Sequence, residues 1–102
     1  MKLKINNSEM LSMVDALNIV IREFNDRLSK LDMDEKLWKA CAEEMYMKLA
    51  PRAIKVQDSY QIELKPSWAI SFHLIFNQQL DRKTYAGNLI QGLCDQIHQH
   101  YS

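Results

Sequence analysis

The alternation of apolar and polar residues changes period along the chain, and those changes outline its elements. Leu3 and Ile5 alternate with Lys2, Lys4 and Asn6, a period of two that predicts a short half-buried strand. Asn6 then stands as a helix N-cap, with Glu9 placed to reach back to the cap amide. From there Met10, Met13, Val14, Leu17, Ile21 and Phe24 recur at spacings of three and four, continued by Leu28 and Leu31. This predicts a long amphipathic helix from about residue 7 to residue 30. Asp32-Met33-Asp34 interrupts the stripe and offers a new cap. The second helix carries Leu37, Trp38, Cys41, Met45 and Leu49 on one side, with Glu44 and Lys48 spaced as an ion pair on the other. Pro51 is expected to end this helix at or just before Ala50, and Arg52–Ser59 reads as a connector in which Ile54 and Val56 are extended.

Tyr60, Ile62 and Leu64 alternate with Gln61, Glu63 and Lys65 and predict a second strand. Residues 68–76 fit two periods. As a strand, Trp68, Ile70, Phe72, Leu74 and Phe76 share one side; as a helix, Trp68, Ala69, Phe72, Ile75 and Phe76 do. An internal comparison favours the helix. A shift of 59 residues lays Leu3 and Ile5 on Ile62 and Leu64, and Leu11, Met13 and Leu17 on Ile70, Phe72 and Phe76. The alternative is a chance match over a short window. A last helix opens at Asp81-Arg82-Lys83-Thr84, with Leu89, Ile90, Leu93, Cys94, Ile97 and Tyr101 as its stripe and with Gly87 and Gly92 weakening it.

The expected fold is therefore α+β and predominantly helical: one domain over 1–102, two short antiparallel strands and about four helices. It reads as a strand-helix-helix duplication over 2–50 and 60–101. The competing topology packs three helices on a three-stranded antiparallel meander at 53–76.

Charge and chemistry narrow the function less than the pattern narrows the fold. Thirteen basic and thirteen acidic side chains cancel, so no global field draws the chain to nucleic acid or anionic lipid, and repulsion between copies is weak. Met1–Ile5 runs into Asn6-Asn7-Ser8-Glu9 and not into an apolar leader segment, and no stretch has the apolar length of a membrane span. Free thiols at Cys41 and Cys94 and a cytoplasmic setting are the expectation.

No constellation for catalysis stands out. Cys94 and His98 are one helical turn apart, with Asp95 and His100 nearby, but zinc requires three or four ligands and the sequence shows no second cluster. Histidines in a last helical turn are also favoured by the helix dipole. His73 has no evident partner for acid–base work. The acidic residues Asp32, Asp34, Glu35, Glu43 and Glu44 read as caps and solvated charges, and two glycines leave no phosphate loop. Neither enzyme activity, a cofactor nor a metal is expected.

Two surface readings remain. The first helix is apolar over more than one stripe, so Leu11 and Ile19, with Trp38 and Tyr46 of the second helix, are candidates for an interface. This points to a protein-interaction module, with a homodimer as the first expectation. The alternative is an accessory nucleic-acid binder or regulatory protein using Lys48, Arg52, Lys55, Arg82 and Lys83, provided they converge on one face.

Overall fold

A computed structural model describes residues 1–77 and 85–101 of the chain. Within them the order is β1 (Lys2–Asn6), α1 (Asn7–Asp26), a 3-10 turn (Leu28–Lys30), α2 (Met33–Ile54), β2 (Ser59–Glu63), α3 (Pro66–Asn77) and α4 (Tyr85–Tyr101). The fold is α+β and predominantly helical, with four helices and one antiparallel two-stranded sheet. Residues 66–77 are helical, so the three-stranded meander at 53–76 is not formed.

The strands pair as their alternation requires. Leu3 and Ile5 of β1 and Tyr60 and Ile62 of β2 point into the core, while Lys2, Lys4, Gln61 and Glu63 face out. Leu3 faces Ile62 and Ile5 faces Tyr60. Leu64 N–H donates to the Met1 carbonyl at 2.8 Å and the Met1 amino group donates to the Leu64 carbonyl at 3.0 Å, extending the ladder by one pair. Leu3 and Ile62, superposed by the 59-residue shift, thus oppose each other at the middle of the ribbon. The same shift relates Met10, Met13 and Leu17 of α1 to Ala69, Phe72 and Phe76 of α3, and all six are buried. The second helices break that shift, because α4 starts earlier relative to its strand than α2 does.

Both long helices open with a capping box. Asn6 Oδ1 accepts the Glu9 N–H at 2.8 Å, and Asn6 N–H donates to Glu9 Oε1 at 3.1 Å. Asp32 and Glu35 repeat the arrangement at the head of α2. Each cap satisfies amides that the first turn leaves unpaired, an effect of about 1 kcal/mol.

Two boundaries differ from the pattern-based expectation. The first helix stops at Asp26 and not near residue 30; the 3-10 turn follows, leaving Leu28 exposed, and Leu31 returns to the core. Val20 is buried in this helix, where Ile21 is only partly so. The second helix runs through Pro51 to Ile54, and Ile54 is therefore helical, not extended. Proline here removes the bond to the Met47 carbonyl and crowds that oxygen, which costs on the order of 3 kcal/mol in a helix interior. The end of the helix is held from outside: Arg52 Nη2 donates to the Gln61 carbonyl at 2.8 Å, and the Tyr60 hydroxyl donates to the Lys55 carbonyl at 2.8 Å. The Tyr60 oxygen also accepts the Gln57 N–H at 3.1 Å, with Asn7 Oδ1 3.3 Å away. The start of the last helix predicted at 81–84 lies outside the described residues.

One core results. α1 packs on α2 and α3 on α4, while α2 also touches α3 and α1 touches α4, and α1 lies against both strands. Met10, Met13, Met45, Tyr60, Phe72 and Leu93 are among its buried side chains.

Candidate functional site

Helix α2 has two apolar faces. Cys41, Ala42, Met45 and Leu49 point into the core, and Trp38 and Tyr46 lean on its margin. The opposite side carries Met33, Leu37, Ala40, Glu44, Met47, Pro51 and Ile54, all exposed. Their spacing alternates four and three residues, so they form a continuous seam along the helix. Met33 is 84% exposed, Leu37 58%, Met47 76% and Ile54 81%. This is more apolar surface than a single amphipathic stripe leaves in water. Helix α4 offers a comparison inside the same molecule. Its buried Leu93, Cys94 and Ile97 repeat the spacing of Cys41, Ala42 and Met45, and the positions matching Leu37, Ala40, Glu44 and Met47 hold a half-buried Leu89 and the exposed Gly92, Gln96 and Gln99. The fold therefore accepts a polar outer face in this role, and the apolar one on α2 is not demanded by folding.

The seam has charged borders. Lys48 lies along one side and Lys36 with Glu43 along the other. Glu43 accepts from Lys39 Nζ at 2.8 Å. Glu44 does not pair with Lys48 as its spacing suggested: its Oε2 takes the indole N–H of the buried Trp68 at 3.1 Å, and Lys65 Nζ sits 4.9 Å above the same indole ring. The only charged side chain within the seam is thus fixed to its own domain by one carboxylate oxygen.

The structure distributes the sequence-derived interface residues between two environments. Leu11 and Ile19 of α1 are exposed. Trp38 and Tyr46 are half-buried against the core. Leu37, assigned by its spacing to the core side, faces water instead, because Cys41, Ala42, Met45 and Leu49 define a core direction to which Leu37 is nearly lateral. The seam is not evident in the sequence for that reason: Leu37 reads with the core stripe, Met33 with the cap and Ile54 with the connector.

Of the basic residues, Lys48 and Lys55 are exposed. Arg52 is half-buried with its guanidinium on the Gln61 carbonyl. Arg82 and Lys83 lie outside the described residues.

The groups weighed for chemistry are separated by burial. Cys94 is fully buried, and its thiol is pushed up to about 12 by that burial and, second, by the neighbouring Asp95 carboxylate. It stays protonated near neutrality, which suits neither a nucleophile nor a metal ligand. His98, one turn on, is exposed and stacks on His73 of α3, with ring centroids 5.5 Å apart and planes 18° off parallel. The two rings share a shallow groove of about 280 Å³ with Ile70, Leu74, Ile97 and Tyr101. Among the described residues no three His, Cys, Asp or Glu side chains gather as a metal site. Another hollow, of about 360 Å³, lies across the two strands and is lined by Lys2, Leu3, Lys4, Gln61, Ile62 and Glu63. Among the described residues no helix is long and apolar enough to cross a membrane.

Compared with protein-family models, curated proteins and solved structures, the chain matches none. The functional reading therefore rests on the surfaces just described.

Proposed function

We propose that this chain is a small cytoplasmic protein-interaction module that associates with itself through the outer face of α2. The observation that carries the reading is the seam: an apolar strip over six turns of helix, on a fold whose other core-lining helix with that spacing is polar outside. Covering such a strip removes it from water, worth roughly 25 cal/mol per Å² of apolar surface. The absence of net charge leaves little long-range repulsion for that gain to overcome.

Sedimentation velocity from about 1 to about 300 µM tests this, a range spanning weak and moderate dimers. The expected result is a reversible shift from monomer to dimer. Leu37→Glu combined with Met47→Glu should abolish the shift and leave the helical circular-dichroism signal intact, since both side chains face water. A strict monomer throughout that range, or a dimer indifferent to both glutamates, would refute the proposal.

A further inference from the structure

We infer that two copies pair α2 against α2 in antiparallel orientation about a twofold axis near Tyr46, with Leu37 of each copy against Ile54 of the other. This rests on the self-association just proposed and adds its geometry.

The seam alternates as the apolar positions of a heptad do, and the two possible orientations juxtapose different residues. In parallel, each seam residue meets its own copy. Leu37 would face Leu37 and Ala40 would face Ala40, but Glu44 would face Glu44 in the middle of an apolar contact. Two carboxylates brought together in a drying interface repel strongly. Neither can swing away without releasing the Trp68 indole N–H that Glu44 Oε2 holds at 3.1 Å.

In antiparallel, the layers become Leu37 with Ile54, Ala40 with Pro51, and Glu44 with Met47. All six of those residues are exposed in the single chain. The two Glu44 side chains move apart along the axis. Lys48 lies one turn beyond Glu44 on the same border of the seam, and a twofold axis brings like borders together. Lys48 of each copy thus comes alongside Glu44 of the other, whose Oε1 is the oxygen not used by Trp68. The pair is made twice, reciprocally, as an isologous contact requires. The sizes also match: the small Ala40 faces Pro51, where bulk in both positions would hold the helices apart.

Length sets the strength. The 22-residue helix is about 33 Å long at ~1.5 Å per residue, and a strip about 10 Å wide along it covers only part of the ~800 Å² per partner typical of stable complexes. The dimer is accordingly weak and exchanging, and its assembly follows concentration.

Cross-linking reads the orientation directly. Leu37→Cys and Ile54→Cys are prepared separately; the native Cys41 and Cys94 are buried and do not compete. The expected result is a disulfide dimer on mild oxidation of the mixture, with little from either variant alone. Lys48→Glu should weaken association about tenfold, the scale of one charge pair at an interface. A dimer that cross-links through Leu37→Cys alone would overturn the antiparallel arrangement and leave self-association standing. A dimer that neither pairing cross-links would also overturn it. Absence of any dimer in sedimentation would overturn both.

Discussion

Replacing Tyr60 by Phe isolates one oxygen atom that ties three segments together. The ring is 1% exposed, so the substitution leaves no cavity, and the phenylalanine ring fills the same space between the strands and helices. What disappears is the donation to the Lys55 carbonyl at 2.8 Å, the acceptance from the Gln57 N–H at 3.1 Å and the longer contact with Asn7 Oδ1 at 3.3 Å. Each such bond contributes about 1 kcal/mol net. Lys55 and Gln57 are themselves exposed residues, so water can reach their backbone groups and the loss should stay near 1–2 kcal/mol in total, not the larger cost of a sealed orphan. For a domain of this size each kcal/mol moves Tm by about 4–8 °C, so Tm should fall by roughly 5–15 °C. Thermal unfolding followed by circular dichroism measures it, at a protein concentration low enough to avoid association. Amide exchange adds a local reading, because the Gln57 N–H should lose protection before the core does. A Tm within about 1 °C of the parent would refute the claim that this hydroxyl fastens the end of α2 to β2.

Gly92→Ala should stabilise the chain by about 0.5–1 kcal/mol, because a methyl there meets nothing within 4 Å and alanine is the better helix former; a lower Tm would contradict this. Phe72→Ala, at a fully buried ring of α3, should cost about 3–5 kcal/mol in denaturant unfolding. Arg52→Ala should cost about 1 kcal/mol by releasing the Gln61 carbonyl, with a Tm change no larger than about 10 °C. Burial holds the Cys94 thiol up at about 12 in the folded chain against 9.0 for a thiol in water, so the unfolded state gives up its proton first as pH rises. The protecting contribution is complete below about pH 9 and is lost progressively between 9 and 12, so stability should decline across that window less steeply in Cys94→Ala. Equilibrium unfolding at several alkaline pH values checks the difference in slope.

The elements were legible where one face alone is buried. Strict alternation at Leu3–Ile5 and Tyr60–Ile62 gave both strands, and Asn6 with Glu9 marked the start of α1 to the residue. Legibility failed where apolar residues surround a helix. In α3, Trp68, Ala69, Phe72, Ile75 and Phe76 are buried while Ile70 and Leu74 are exposed, so no polar side remained to distinguish 3.6 from two. In α2 the same condition hid the docking face, since nothing in the order of residues says which of two greasy sides looks inward. That decision belongs to α1 and α3, which reach it from elsewhere in the chain. The overrun past Pro51 was hidden for a related reason: its support comes from Tyr60 and Gln61, beyond the connector.

The ribbon that joins Lys2 to Glu63 also has a kinetic meaning. Neighbouring helices can meet across short connections, but this pairing must wait until almost sixty residues have been drawn into a closed loop. It acts as the clasp of the chain, engaging only when both halves have begun to take shape. Unfastening it exposes the inner sides of Leu3, Ile5, Tyr60 and Ile62 together. Neither half can therefore come apart quietly, and the domain should melt in one step.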